Sequence, residues 1–160
     1  MSIIENETLF NRTEVVQLLN HIMEMELAGV VRYTHYSLMV FGYNRIPIVS
    51  WLRDQANEAT LHAQEAGEWI TSLGGHPSLG IGPLLETHKH DIGDILRESL
   101  ESEKESIKAY RDLLSLVEGK SIALEEYARR MIHEEIKHAS EVDKMLRKPG
   151  DIHIFESKEH

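Results

Sequence analysis

Apolar residues return with the period of an α-helix along four stretches of the chain, each bounded by turn-forming residues. From about Thr13 to Phe41 the stripe is carried by Leu19, Ile22, Val30, Tyr33 and Val40, and Gly42 to Arg45 ends it. A second helix is predicted from near Ile48, behind Pro47, through Leu52, Ala56, Ala59, Ala63 and Ile70 to Leu73, stopping at Gly74-Gly75. The third shows Ile92, Leu96, Leu100, Ile107, Tyr110 and Leu114 and closes at Gly119. After a short turn from Glu118 to Ser121, the fourth carries Leu124, Ala128, Met131, Ile132, Ala139, Val142 and Leu146 before Pro149-Gly150.

The joins decide how these helices lie. Short connections after the first and third imply two antiparallel hairpins. The segment from His76 to roughly His90, with Pro77, Gly80, Gly82 and Pro83, is long enough to cross from one end of a bundle to the other. The fold predicted is all-α, an antiparallel four-helix bundle with one long crossover. At 160 residues and 41% hydrophobic content the chain fills one core, so a single domain over residues 1–160 is expected, with 148–160 as a C-terminal tail.

Three of the stripes are interrupted by charge. On the fourth helix Ala128, Val142 and Met131 fall within about 40° of Glu135, and His138 lies about 60° away. On the third, Leu96, Ile107 and Leu114 lie within about 40° of Glu103; on the first, Ile22, Val30 and Tyr33 lie within about 40° of Glu26. His62 stands at the edge of the second helix's stripe, while Glu101, Glu105, Glu125 and Glu126 take outward or flanking positions.

An ionised carboxylate moved into an apolar interior costs several kcal/mol unless it is paired. One such glutamate is as readily answered by an arginine or a tyrosine, and a lone core histidine is usually structural. Glu135-Ile-Lys-His138 is a common tetrapeptide and weak alone. Together, however, the four inner faces each present a carboxylate or an imidazole, with no inward Lys or Arg evident at matching depth, and a pair of divalent metal ions answers that pattern best.

Charge and composition narrow the partners. A net charge of −10 argues against nucleic acid and anionic membrane and attracts cations. With no cysteine, thiolate metal sites, iron–sulfur clusters and thiol nucleophiles are excluded, which leaves oxygen and imidazole ligands. No apolar run approaches the roughly 20 residues that span a bilayer, and Met1 to Arg12 is too polar for a secretory signal, so a soluble, cytoplasmic protein is expected.

Over nearly all four helices the chain resembles bacterioferritin and its relatives in the ferritin-like di-iron carboxylate superfamily. The resemblance rests on Glu26-Leu27 with Tyr33 seven residues on, on His62-Ala63, on Leu96-Arg97 leading into Glu103, and on Glu135-x-x-His138, at matching separations. It implies a di-iron ferroxidase centre with two irons per subunit. Glu26 and Glu103 would be terminal carboxylates, Glu135 a bridge, and His62 and His138 would give one nitrogen to each ion. Tyr33 would be the candidate catalytic side chain beyond the ligands, as a hydrogen-bond donor. The implied activity is oxidation of Fe(II) by O2 or H2O2, with iron storage in a homo-oligomer ranging from a dimer to a 24-subunit shell.

The sequence departs from the family pattern twice. The second bridging glutamate belongs three residues before the helix-two histidine, where this chain has Ala59; Glu58 and Glu65 are rotated toward the other flank. Three glutamates then balance only part of the charge of two divalent ions. The family's haem-binding methionine belongs two residues before the same histidine, where this chain has Thr60, so no haem is expected. Met23, Met25 and Met39 are read as core packing, and His88-Lys89-His90 as a solvated loop in preference to a metal cluster. The rival classes are a non-storage di-metal redox enzyme of peroxidase or manganese catalase type, and a metal-poor bundle with an assembly role.

Overall fold

The computed structural model describes residues 10–84 and 87–155. Among them the chain forms four α-helices: α1 (Arg12–Met39), α2 (Arg45–Ser72), α3 (Ile92–Val117) and α4 (Ile122–Leu146). The expected all-α four-helix bundle is the observed fold. α2 starts three residues ahead of Ile48, because Pro47 occupies the first turn, where the ladder needs no N–H from it. α1 stops at Met39, two residues short of Phe41.

Local chemistry sets the helix ends. Asn11, Asp91 and Ser121 each accept a backbone N–H of the following turn, so three helices begin on a side-chain cap. Gly74 and Gly119, at φ 73° and 71°, take the left-handed conformation that turns the chain away after α2 and α3.

α1 packs chiefly on α2 and α3 on α4, and α1 also meets α3. After α2 the crossover runs along α1 through residues 76–82. Asn20 accepts from Ser78 N at 2.7 Å and donates to His76 O at 3.2 Å, while Ser78 Oγ donates to Glu24 at 2.5 Å. Gly82 N donates to Glu24 O at 2.7 Å; a Cβ there would stand 3.1 Å from that carbonyl, so a larger residue would push the crossover off α1 by a few tenths of an ångström.

The core is divided along its length. One apolar cluster gathers Leu19, Ile22 and Met23 with Ala63, Ala66, Ile70, Ala109, Tyr110, Leu113 and Met131. A second gathers Tyr33, Tyr36 and Val40 with Leu52, Ala56 and Ile95, and a third Leu96, Leu100 and Val142. On every helix the residues between these clusters are the ones the sequence marked: Glu26, His62, Glu103, Glu135 and His138. A polar layer therefore sits across the middle of the bundle, where packing against apolar side chains above and below holds it rigid.

After α4 the chain folds back. Asp143 takes an ion pair from Arg147 at 2.6 Å and accepts from Phe155 N at 2.7 Å, and Phe155 packs beside Leu96, Leu100 and Val142. The remainder of the expected tail, residues 156–160, lies outside the described residues. No described helix is long and apolar enough to cross a membrane.

Candidate metal centre

The structure brings Glu26, His62, Glu103, Glu135 and His138 into one layer, and the first four are only 3–7% exposed. Two groups of ligand atoms share a member. Glu26, His62 and Glu135 form one; Glu103, Glu135 and His138 form the other, and within each group the atoms lie within 4.8 Å of one another. Glu135 stands between them, its Oε1 3.4 Å from His62 Nδ1 and its Oε2 4.0 Å from His138 Nδ1. Glu26 Oε1 is 3.6 Å from the same His62 nitrogen. The two imidazoles lie nearly parallel, with centroids 6.4 Å apart.

A second layer of polar side chains fixes the first. Tyr33 donates to Glu103 Oε1 at 2.8 Å, and Tyr110 donates to Glu26 Oε1 at 2.9 Å. Behind the histidines the pattern is crosswise. Glu134 on α4 contacts Nε2 of His62 on α2 at 3.0 Å, and Glu58 on α2 contacts Nε2 of His138 on α4 at 3.0 Å. Each glutamate stands four residues before the histidine of its own helix and serves the other helix's ring. Such a carboxylate fixes ring orientation and leaves the opposite nitrogen, Nδ1, facing the centre.

Tyr110, Glu58 and Glu134 were not singled out as site residues from sequence. The repeated Glu-x-x-x-His spacing, Glu58/His62 and Glu134/His138, is the signal that would have found the two acids. Tyr110 gives no such signal, being one more aromatic on an apolar stripe.

Electrostatics follow from crowding acids in a dry layer. Burial, reinforced by neighbouring Glu135, pushes the Glu103 carboxyl well above the usual range. Burial alone would lower His62, but hydrogen bonds and charges from Glu135 and Glu26 prevail and push it up to about 11. Tyr33 and Tyr110 are raised by burial and then by Glu103 and Glu26 respectively, so both remain phenols and hydrogen-bond donors. Glu103 Oε2 is buried with no hydrogen-bond partner. An orphaned buried carboxylate oxygen beside oxygen and nitrogen donors fits a divalent cation of the iron, manganese or zinc type.

No inward Lys or Arg at matching depth is evident from the sequence, and the structure adds one basic side chain at the edge of the centre. Arg32 borders it, its guanidinium 5.2 Å above the Tyr33 ring and its Nε buried without a partner. Arg32 is adjacent to Tyr33 and so points to the flank by helical rotation; its long side chain folds back over Gly29, whose missing Cβ would meet Nη2 at 3.7 Å. It makes no ion pair with Glu26, Glu103 or Glu135, so the buried carboxylates are not structurally neutralised by it. Ala59, where the sequence resemblance expects a second bridging glutamate, is buried and packs against Gly29. His90 of the His88-Lys89-His90 segment lies against the His35 ring, centroids 5.8 Å apart, away from the centre.

The carboxylate and imidazole groups are thus compatible with a metal site. Among solved structures, ferritin-like di-iron carboxylate proteins from Bacillus anthracis str. Ames superpose with a TM-score of 0.81 at 24% identity, covering 85% of this chain and 97% of theirs. The bacterioferritin-related protein of Bacteroides fragilis, a dodecameric thioferritin, gives 0.78 at 21% identity over 86% of each chain. Rhodobacter capsulatus bacterioferritin, with a metal-free dinuclear site, gives 0.74 at 21% identity over 84% of each chain. At such identities these likenesses show the shared fold. No curated protein matches the sequence. The family model for the ferritin-like domain matches residues 16–150, and the chain belongs to that family.

Proposed function

We propose that this bundle binds two iron ions per subunit and oxidises Fe(II), as a ferroxidase of bacterioferritin type. One ion is held by Glu26, His62 and Glu135, the other by Glu103, Glu135 and His138. The observation that carries the reading is Glu135, whose two oxygens face two histidines on opposite sides. A carboxylate so placed can offer one oxygen to each of two cations.

Fe(II) is substrate here, giving electrons to O2 or H2O2. The protein's share is positional. Hard carboxylate oxygens favour Fe(III) over Fe(II), Tyr33 and Tyr110 hold the terminal glutamates, and Glu58 and Glu134 hold the imidazoles in register. His62 must surrender its proton to bind an ion, so loading releases protons.

Large apolar side chains left exposed around the α1–α2 turn and along α2, among them Leu38, Phe41, Tyr43, Ile46 and Leu61, support a homo-oligomer, as in the dodecameric relative. Storage of the ferric product in a shell, and a cytoplasmic location, belong to the same reading. Thr60, which donates to Ala56 O at 3.0 Å, supplies no thioether and leaves haem out of it. A second reading, a non-storage di-metal redox enzyme, is favoured by a cleft of about 430 Å³ that borders the centre between α1 and α3.

Anaerobic Fe(II) titration tests the site. Wild type takes up two ions per subunit, and Glu103→Ala with Glu135→Ala takes up none stoichiometrically; two ions retained in the double variant refute it.

A further inference from the structure

We infer that Tyr110, Tyr127 and Trp69 form an electron path from the Glu26 side of the centre to the protein surface. It supplies the electron that hydrogen peroxide lacks when only one Fe(II) is bound. This rests on the di-iron reading above and adds a route leading out of the centre.

The path crosses three helices. Tyr110 on α3 donates to Glu26 Oε1 at 2.9 Å. Its ring meets that of Tyr127 on α4 edge-on, with centroids 6.2 Å apart, and Tyr127 meets Trp69 on α2 at 5.8 Å. Tyr110 and Tyr127 are 1% and 3% exposed, whereas Trp69 is only half-buried. Rings in such contact are close enough for electrons to tunnel between them, so the path runs unbroken from a proposed ligand to solvent.

Local charges divide the roles. Tyr110 can lose an electron because its proton has a place to go, along the hydrogen bond to Glu26. Burial, reinforced by Glu65 and Glu26, pushes the Tyr127 phenol up, and the Arg130 guanidinium lies over its ring, 5.8 Å from the centroid. With its proton held and a cation on its face, Tyr127 resists oxidation. It therefore bridges the two outer rings and does not keep the hole. Trp69, at the edge of the core, can release its indole proton to water.

Electron counting shows what the path is for. Two Fe(II) carry the two electrons that reduce H2O2 to water, and a single Fe(II) carries one. With the path, Fe(II), H2O2 and the Trp69 indole N–H give Fe(III), hydroxide, water and a neutral Trp69 radical. The O–O bond breaks, and iron and Trp69 each lose one electron. The indole gives its proton to solvent, and solvent supplies the one that completes the water. Tyr110 relays: its proton shifts to Glu26 as its electron leaves and returns as the electron from Trp69 arrives. Oxidising power that would otherwise attack the ligands is drawn to the surface.

The test uses the full-length protein, loaded anaerobically with one Fe(II) per subunit and mixed with one equivalent of H2O2. Ethanol is present to consume radicals formed in solution, and freeze-quench EPR and peptide mass spectrometry are the readouts. A tryptophan radical is expected in wild type, with oxygen later incorporated at Trp69. Trp69→Phe should lose the tryptophan radical. Tyr127→Leu should lose the oxidation of Trp69 although Trp69 stays at the surface, and Tyr127→Phe, which keeps the ring, should retain it; Trp69→Phe carries the test if Tyr127→Leu does not fold. Four results overturn the inference and leave the iron reading standing: Fe(II) oxidation with no protein radical, a tryptophan radical that survives in Trp69→Phe, Trp69 oxidation unchanged in Tyr127→Leu, or a radical confined to Tyr33 and Trp51, whose rings lie 6.4 Å apart on the Glu103 side. Fe(II) that fails to bind removes both.

Discussion

If the buried carboxylates are there for metal, removing one should make the metal-free protein more stable. Glu103→Gln is the cleanest case. The amide keeps an acceptor for Tyr33 at Oε1 and changes volume little, while it abolishes a charge that lies within 4.8 Å of Glu135. Two full charges at that separation repel by about 3.5 kcal/mol at an effective dielectric near 20. Glu103 escapes part of this by holding a proton, as its raised pKa shows, so a gain of about 2 kcal/mol is expected, equivalent to about 4–8 °C in Tm for a chain of this size.

The sign with pH follows from the same shift. A carboxyl whose folded pKa is raised costs nothing below its unfolded value and destabilises increasingly above it. Thermal unfolding in EDTA should therefore show Glu103→Gln matching wild type near pH 4.5 and exceeding it as pH rises to 8. If the proposed two-ion site holds, the same variant should take up one ion fewer than wild type. A metal-free Glu103→Gln protein less stable than wild type at pH 8 would mean that this glutamate is a structural partner, and the case for a metal centre would lose its energetic basis.

Other perturbations probe the remaining parts. Tyr110→Phe withdraws a buried donor from Glu26 and should cost about 1–3 kcal/mol of metal-free stability. It should also weaken one metal site about tenfold in a Co(II) isotherm while sparing the other; equal weakening of both would contradict the assignment of Glu26 to one ion. Ala59→Glu should raise the initial rate of Fe(II) oxidation in stopped flow, and an unchanged or lower rate would show that the centre closes without a fourth protein carboxylate. Protein expressed with ample haem should show no Soret band, since Thr60 offers no axial thioether; a stoichiometric band would reveal another ligand.

The helices and the inward position of Glu26, Glu103 and Glu135 were legible in the sequence because both depend on one local quantity, the rotation of about 100° per residue. Apolar neighbours three, four and seven residues away place a side chain on the inner face whatever the rest of the chain does. Separations along the chain added His62 and His138, and turn composition located the crossover.

What surrounds the ligands was settled only between helices. That Glu58 meets His138 and Glu134 meets His62 depends on how α2 and α4 are set against each other, and no rotation within a single helix expresses that. The same holds for Arg32, which helical arithmetic sends to the flank and which bends back because Gly29 and Ala59 leave α1 and α2 close together with nothing in its way. Long flexible side chains choose their partners from the tertiary field, whereas a short stiff period chooses the face. The sequence could state that acids enter the core, and only packing could say which groups hold them.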